Sequence, residues 1–259
     1  MAGPKIRREA KERGTLFGAS ADEYERIRPG YPDAAVRAVA ERASTAAADE
    51  AGGEVPADPA GIRVLDVGSG TGKYGRAFAE LGFDVHAVDP DSALLEINPL
   101  PSAIARAEEL PFADASFDLV VSAQAWHWFD AEAASAEFAR VLKPGGVAAI
   151  VLNQLDVRVD WVLRLSRIMH AGDVYRPQWR PELGAGFGTV EARIDEFSVP
   201  MTIDDTVALT ATRTYWLRSN DTVRARVEGN LRGYLTEEHP VSEPFDLPYM
   251  CLTYMAQKQ

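Results

Sequence analysis

The segment that decides the fold is Val64-Leu65-Asp66-Val67-Gly68-Ser69-Gly70-Thr71-Gly72. It begins within a short apolar run, Ile62 to Val67, which predicts a buried strand, and three alternate glycines follow at once. A helical pattern comes next, from Tyr74 to Leu81, and Gly82 after it is typical of a helix C-terminus. The segment therefore predicts a strand that turns tightly into a helix.

Strands and helices alternate on both sides of this turn as far as Asn153. Apolar runs predict further strands at Phe83 to Val88, Phe117 to Ser122 and Val147 to Leu152, and the pattern of Ala131 to Leu142 predicts a helix. Strands that alternate with helices are joined by right-handed crossovers and form a mostly parallel sheet. The sequence thus predicts an α/β fold.

The two ends of the chain show other patterns. Residues 1–14 are rich in Lys, Arg and Glu, which predicts a flexible tail. A helix is predicted to begin at Asp33, and the stretch Ala43 to Gly61, rich in Ala, Gly, Asp and Glu, predicts a surface loop. After Asn153 the patterns predict a helix at Trp161 to His170, a strand at Val190 to Val199, two helices within Thr206 to Leu235 and a last strand at Pro248 to Met255.

The composition excludes several functions. With 46% hydrophobic and 25% charged residues, the 259-residue chain is typical of globular proteins, and its net charge of −12 argues against nucleic acid as a partner. A single cysteine, Cys251, and four histidines allow no intramolecular disulfide and no cysteine-based zinc site, so we expect no metal. Without a secretory signal or a long apolar run, we expect a cytoplasmic protein that binds no membrane.

Three ligand classes place glycines after a strand. A phosphate-binding GxxxxGK[ST] loop fails, because Val67 and Tyr74 occupy its first and last defined positions. A dinucleotide GxGxxG pattern fits Gly70 to Gly75 by count, with Asp89 as the ribose-binding acid. The loop, however, already opens at Gly68, and the preceding strand carries an acid, both of which count against a dinucleotide.

The GxGxG spacing favours a ligand with an amino-acid part, since small residues let the backbone approach it closely. Asp66 could accept hydrogen bonds from the loop or from the ligand's ammonium, and Asp89, after the next strand, from both ribose hydroxyls. A tight turn in a protein without a cofactor is the alternative.

Three further segments, in the same order along the chain, complete a resemblance. With the glycine segment, Ala107-Glu108-Glu109-Leu110-Pro111-Phe112, Ser116-Phe117-Asp118-Leu119-Val120 and Arg140-Val141-Leu142-Lys143-Pro144-Gly145-Gly146 resemble class I S-adenosylmethionine-dependent methyltransferases of the small-molecule branch. The resemblance implies S-adenosylmethionine as cofactor, with S-adenosylhomocysteine as product. It also implies a Rossmann-like, doubly wound, mostly parallel seven-stranded sheet with an N-terminal lid segment and a C-terminal helical insertion.

The same resemblance assigns cofactor-binding residues. They are Asp66, Gly68, Ser69, Gly70, Thr71, Gly72, Asp89, Ala107, Glu108 and Gln124. The family often has Asp directly before the Ala-Glu pair, where it binds the adenine amino group, but Arg106 stands there in this chain. The adenine contact would then fall to the backbone of Ala107, with Glu108 nearby.

Two outer segments resemble the trans-aconitate-methyltransferase-like subgroup. They are Tyr24-x-x-x-Arg28-Pro29-x-Tyr31-Pro32 and Ala125-Trp126-His127-Trp128-Phe129-Asp130; Asn153 and Trp179-Arg180 also fit that subgroup. The resemblance implies that the N-terminal segment lies over the cofactor pocket, and it makes Tyr24, Arg28, Tyr31, Trp128 and Trp179 candidates for binding the acceptor. An N-terminal segment that merely anchors the chain to the sheet is the alternative.

His127 is the candidate catalytic base, because it follows the fourth predicted strand at the sheet edge where such folds bind ligands. Packing between its two tryptophan neighbours would explain the presence of this histidine equally well. Methyl transfer is a direct displacement, and a base is needed only if the acceptor must lose a proton. The acceptor atom therefore stays open among carboxylate, hydroxyl and activated carbon.

We predict one methyltransferase domain over residues 15–259, with a lid and helix at 15–45, a cofactor-binding core at 61–155, and a sheet edge at 156–259 that carries a helical cap at about 206–238. A monomer or homodimer acting on a small molecule is expected. A cofactor-binding module without activity and a dinucleotide-dependent oxidoreductase are the alternatives.

Overall fold

The computed structural model describes residues 25–51 and 59–259. The predicted tail, residues 1–14, and the candidate Tyr24 lie outside the described residues. In chain order, the strands are β1 (Arg63–Val67), β2 (Asp84–Asp89), β3 (Ser102–Ile104), β4 (Phe117–Ala123), β5 (Leu142–Leu155), β6 (Glu191–Met201) and β7 (Phe245–Gln257). The helices are α1 (Asp33–Ala51), α2 (Lys73–Glu80), α3 (Ser92–Leu95), α4 (Ala131–Val141), α5 (Asp160–Ile168), α6 (Ile203–Ala211), α7 (Thr214–Arg218) and α8 (Asp221–Gly233).

The described residues form one seven-stranded sheet with the order β3-β2-β1-β4-β5-β7-β6. The first five strands in this order pair in parallel, and β7 runs antiparallel to both of its neighbours. The predicted α/β fold with a mostly parallel seven-stranded sheet is thus confirmed. The strand order reverses at β1 and β4, and in such sheets a crevice for ligands opens at this point, beyond the carboxyl ends of the strands.

Helices cover both faces of the sheet. Along β5, Val147, Ala149 and Val151 point to the face covered by α1, whereas Ala148 and Ile150 point to the face covered by α4. All five are fully buried. Because neighbouring residues of a strand face opposite sides, a strand buried on both sides has a continuous apolar sequence, as this one does.

A third apolar cluster holds the helical insertion on the sheet. Leu209 of α6 and Leu231 of α8 pack there with Leu155 of β5, Tyr249 of β7 and Ile27 of the N-terminal segment. The insertion is therefore joined to the end of the sheet and to the segment before α1 through one core.

Two predictions need correction, and one strand was missed. The predicted loop at Ala43 to Gly61 is wrong up to Ala51, because α1 continues to that residue and buries Ala43 and Ala46; alanine is a strong helix former despite its small apolar surface. The insertion has three helices and a π-helical turn, Tyr234–Glu238, rather than two helices, since Asn220 caps a new helix with its side chain. The short β3 was not predicted, because Ser102–Ile104 is half-buried or exposed and lacks an apolar run.

Candidate active site

A cavity opens at the carboxyl ends of β1, β2, β4 and β5, where the strand order reverses. Its volume is about 640 Å³, within the range usual for small-molecule sites. The glycine loop forms one part of its wall. The other parts are the loop between β4 and α4, which contains His127, the N-terminal segment and the helical insertion. The predicted candidates that line it are Arg28, Tyr31, Asp66, Gly68, Ser69, Gly70, Thr71, Asp89, Gln124, His127, Trp128 and Trp179.

The glycine loop is fixed by its backbone and by side chains outside it, among them Asn98. The N–H groups of Gly68 and Ser69 both donate to the carbonyl of Val88, at 2.9 and 3.1 Å. Asn98 donates from Nδ2 to the carbonyl of Gly70 at 3.1 Å. Gly68 and Gly70 have φ angles of 70° and 52°, a region that glycine adopts without strain. These bonds and backbone angles therefore hold the backbone of the glycine loop close to the cavity.

Asp66 lies beneath this loop with one carboxylate oxygen unused. It is 1% exposed, and its Oδ2 accepts from the N–H of Gly75 at 2.9 Å. Its Oδ1 is buried with no hydrogen-bond partner among residues 25–51 and 59–259. Burial raises the pKa of Asp66 to about 7, against the effect of the Gly75 N–H. An unpartnered buried acceptor is costly, so this atom favours a cationic or donor group in the cavity.

Asp89 ties the second strand to the glycine loop. Its Oδ2 accepts from the N–H of Gly70 at 2.9 Å, and its Oδ1 accepts from the N–H of Asp91 at 2.8 Å. Burial raises the pKa of the Asp89 carboxyl, and these two N–H groups oppose the rise. Each carboxylate oxygen can accept a further bond, so Asp89 can hold the loop and two hydroxyls of a ligand at once.

The N-terminal segment is fastened to the start of α2. Lys73 donates from Nζ to the carbonyls of Glu25 and Arg28, at 2.5 and 2.8 Å. The Glu25 carboxylate accepts from the hydroxyl of Thr71 at 2.5 Å and pairs with Arg76. These bonds place the segment directly against the glycine loop.

Three further hydrogen bonds and a ring contact join the same segment to the helical insertion and to the sheet. Arg28 donates from Nε and Nη2 to the hydroxyl and carbonyl of Thr212, at 2.9 and 3.2 Å. Asn153, at the end of β5, donates to the carbonyl of Gly30 at 2.8 Å, and Tyr31 lies edge-on to Tyr74. The segment thus joins the glycine loop, the sheet and the helical insertion, the arrangement that a cover over the cavity requires.

His127 lies in a short 3-10 turn after β4, between a buried and a cavity-lining tryptophan. Trp126 is 6% exposed and packs against Phe138, whereas the ring of Trp128 lies 4.6 Å from that of His127 and lines the cavity. Burial, with a smaller contribution from the positive charge of Arg28, lowers the pKa of His127. The imidazole is therefore neutral at pH 7, as a proton acceptor must be.

Three predicted cofactor residues do not line the cavity. Ala107 is buried in the apolar cluster on one face of the sheet, and Glu108 accepts from the N–H of Asp130 at 2.9 Å and pairs with Arg106. Gly72 faces Asn98, where a Cβ would lie 2.4 Å from the amide oxygen. The adenine-binding role given to Ala107 and Glu108 stays a prediction.

Sequence reasoning missed several residues that shape the cavity. Lys73 matches only the lysine position of the failed phosphate-loop pattern, yet it holds the N-terminal segment. Arg213 and Tyr249 come from the helical insertion and from β7, and no motif marks either of them. Their proximity to the site arises from tertiary packing alone.

In the two described ranges, no three His, Cys, Asp or Glu side chains come together in a group that could hold a metal ion. No helix among the same residues combines the length and the apolar character that crossing a bilayer would require.

Comparison with known proteins shows the family to which this chain belongs. Residues 65–150 match a family model described as a methyltransferase domain. An uncharacterized methyltransferase of Mycobacterium tuberculosis is 37% identical over 249 residues, which cover 93% of this chain and 94% of that protein.

Solved structures agree with this result. A candidate type II methyltransferase from Anaeromyxobacter dehalogenans is similar, with a TM-score of 0.53, 26% identity, and 90% of this chain and 97% of that chain covered. Phosphoethanolamine N-methyltransferase 2 of Haemonchus contortus, solved with S-adenosyl-L-methionine, shares the fold at a TM-score of 0.54 and 20% identity, over 97% of this chain and 60% of that one. The glycine loop lies where the strand order reverses, acids stand at the ends of β1 and β2, and a relative aligns along nearly the whole chain. The chain therefore belongs to the class I S-adenosylmethionine-dependent methyltransferases.

Proposed function

We propose that this methyltransferase acts on a small-molecule acceptor that enters the cavity beside His127, and that His127 accepts the acceptor's proton. The carrying observation is the single cavity that contains the glycine loop, Asp66 and Asp89 in one part and His127 and Trp128 in another. Its volume of about 640 Å³ suits a cofactor with a small partner, and the N-terminal segment and the insertion border it.

The residues of the glycine-loop end fit the cofactor. The unpartnered Oδ1 of Asp66 is an acceptor for an ammonium group, and the oxygens of Asp89 have capacity left for ribose hydroxyls. A Cβ on Gly70 would meet only one side-chain atom of the described residues, Leu94 Cδ1 at 3.8 Å, so the space over this glycine is open for a ligand. When bound, S-adenosylmethionine supplies an electrophilic methyl carbon on a sulfonium.

The chain's own residues have two tasks in the transfer. The cavity walls hold the acceptor in line with the methyl group, and such positioning is the main source of rate in a direct displacement. The acceptor atom bonds to the methyl carbon while the carbon–sulfur bond breaks and its electron pair stays on sulfur. His127 takes the proton that a hydroxyl or carbon acceptor must lose, since its lowered pKa keeps it neutral at pH 7.

Replacing His127 tests this role. For His127→Ala we expect kcat to fall by about 10²–10⁴-fold, the usual contribution of a general base, with the Kd for S-adenosylmethionine unchanged. His239→Ala is a matched control, because the ring of His239 also lies against a tryptophan, 4.7 Å from Trp161, but does not line the cavity. Unchanged turnover of His127→Ala would give this histidine a packing role only.

Asp66 predicts how cofactor binding depends on pH. Because the pKa of Asp66 is raised to about 7, its carboxylate is ionised above that pH and protonated below it. Only the ionised form attracts an ammonium, so we expect the Kd for S-adenosylmethionine to rise as the pH falls below 7, approaching about tenfold per pH unit.

Calorimetric titrations between pH 5.5 and 8 measure this dependence. Asp66→Asn should bind weakly and with a nearly flat pH profile over that range. Asp118→Asn, which alters a buried carboxylate paired with Lys143 and remote from the cavity lining, should keep the wild-type slope. An Asp66→Asn protein with the full wild-type slope would contradict the assignment.

A further inference from the structure

The cavity has an apolar end on the face of the sheet that α4 covers. We call it the aromatic end, and its residues are Trp128, Leu152, Trp179, Leu252 and Tyr254. Leu152 of β5 stands opposite Leu252 of β7, and both pack with Tyr254 in the apolar cluster under α4. In the sheet order β5 and β7 are two and three strands from β1, which is roughly 10 and 14 Å at a strand spacing of about 4.8 Å. The aromatic end therefore belongs to an acceptor rather than to the methionine part of the cofactor.

Two tryptophans form the walls of the aromatic end. The ring of Trp179 lies edge-on to that of Tyr254, with 5.2 Å between the centroids, and Trp179 is still 36% exposed. Trp128 comes from the turn after β4, which lies on the same face because Trp126 packs against Phe138 of α4. Ring–ring packing in offset or edge-on geometry stabilises more than the buried area alone, so these walls favour a flat aromatic ligand over a saturated one.

The five side chains of the aromatic end are uncharged. Burial raises the pKa of Tyr254, so its hydroxyl stays protonated at neutral pH, and Arg180, which lies over the ring of Tyr254 at 5.8 Å, does not line the cavity. A carboxylate among these five side chains would lose its hydration without gaining an ionic partner from them, whereas a neutral ring gains free energy by leaving water. The aromatic end therefore favours an uncharged ring over an acid.

His127 stands at the border of the aromatic end, with its ring 4.6 Å from that of Trp128. Because burial lowers the pKa of His127, it is a weak base and needs an acceptor with an acidic proton. A phenol has a pKa of about 10, as in a tyrosine side chain, whereas that of water is about 16 and aliphatic alcohols are close to it. The positive charge of Arg28, which acts on His127, also stabilises the negative charge that develops on a phenol oxygen there.

We propose that the methyl acceptor is a phenol, whose ring packs in the aromatic end between Trp128 and Trp179 and whose hydroxyl faces His127. This rests on the proposed function and narrows its substrate class. In the transfer, the phenol gives its proton to His127 and its oxygen bonds to the methyl carbon, while the carbon–sulfur bond breaks and leaves its electron pair on sulfur. His127 then releases the proton to water, and the product is an aryl methyl ether.

The first test compares flat rings with saturated ones. Phenol and 2-naphthol, each beside its saturated analogue (cyclohexanol and decahydro-2-naphthol), are titrated into the protein saturated with S-adenosylhomocysteine, with saturation-transfer NMR as the readout. We expect at least one phenol to bind saturably and at least fivefold more tightly than its saturated analogue, and 2-naphthoate to bind no better than 2-naphthol. The proposal is overturned if neither phenol binds, if neither exceeds its saturated analogue, or if the naphthoate binds more tightly.

The second test uses variants of Trp179, whose exposed position tolerates substitution. For Trp179→Leu we expect the Kd of the better-binding phenol to rise by about three- to tenfold with the Kd of S-adenosylhomocysteine unchanged, and for Trp179→Phe, which keeps a ring, a rise of no more than about twofold. Trp161→Leu is the matched control, because the ring of Trp161 stacks on His239 outside the cavity lining. An unchanged phenol affinity in Trp179→Leu that still binds S-adenosylhomocysteine contradicts the proposal.

Failure of this inference and failure of the proposed function have different signatures. Phenol binding that depends on Trp179, without transfer of a labelled methyl group to any small molecule, leaves the aromatic binding site in place and contradicts the proposed function. Methyl transfer to aliphatic acceptors, with no transfer to phenols and no effect of Trp179→Leu, supports the proposed function and overturns the phenol as acceptor.

Discussion

Asp89→Ala is expected to raise the Kd for S-adenosylmethionine by at least 100-fold. Its carboxylate accepts from the N–H groups of Gly70 and Asp91, so the substitution removes the bonds that fix the loop to the end of β2 as well as the acceptors for ribose. Hydrogen bonds to a charged group contribute about 1.5–3 kcal/mol each, and 100-fold in Kd corresponds to about 2.7 kcal/mol, so the loss of one or two such bonds to the ligand suffices.

Isothermal titration calorimetry measures this effect, with circular dichroism as the check on folding. Asp84→Ala is the matched control, because Asp84 stands at the opposite end of the same strand and pairs with Arg63 on the exposed surface. It should bind the cofactor as the wild-type protein does. Tight binding of S-adenosylmethionine by a folded Asp89→Ala protein would remove Asp89 from the cofactor site.

Gly68→Ala is expected to destabilise the protein by about 2–5 kcal/mol. A Cβ on Gly68 would lie 2.5 Å from Ala125 Cβ, and the residue has a φ angle of 70°, where an L side chain is strained. Overpacking costs about 1–3 kcal/mol and the left-handed conformation about 1–2 kcal/mol more. The clash would push the glycine loop away from the turn that carries His127. Urea unfolding followed by circular dichroism measures the loss.

Gly70→Ala separates folding from binding. Gly70 has a φ angle of 52°, but a Cβ there would meet only Leu94 Cδ1, at 3.8 Å, within the described structure. We expect a loss of stability limited to about 1–2 kcal/mol by backbone strain, together with a loss of cofactor affinity of at least tenfold, because the methyl group enters the ligand's space. A Gly70→Ala protein that binds the cofactor normally would show that the ligand does not pass over this residue.

The core of the fold could be predicted because its signals are local. The central strands are largely apolar runs, as at Val147 to Leu152, and the turn after β1 needs glycines, whose positive φ angles the structure shows at Gly68 and Gly70. Local patterns predicted less where the same residue type can be either buried or exposed, depending on what packs against it. The alanines of α1 resemble a loop in composition, yet Ala43 and Ala46 pack against the sheet.

The candidate site could be predicted only in part, because some of its residues come together only through tertiary packing. Asp66 and Asp89 end two strands that the sequence reveals, so their convergence on the glycine loop follows from the parallel sheet. Arg213 and Tyr249 lie 36 residues apart, in the insertion and in the reversed strand. Only the packing of the insertion onto β7 brings them together, and no spacing rule for one element anticipates it.

A crystal structure of the protein with S-adenosylhomocysteine tests the cofactor site most directly. We expect density in the cavity, with the ammonium of the homocysteine part at Asp66 and the ribose hydroxyls at Asp89, and with His127 facing the space that the cofactor leaves open. Density for the ligand elsewhere on the protein, or a glycine loop without ligand at saturating concentration, would contradict it.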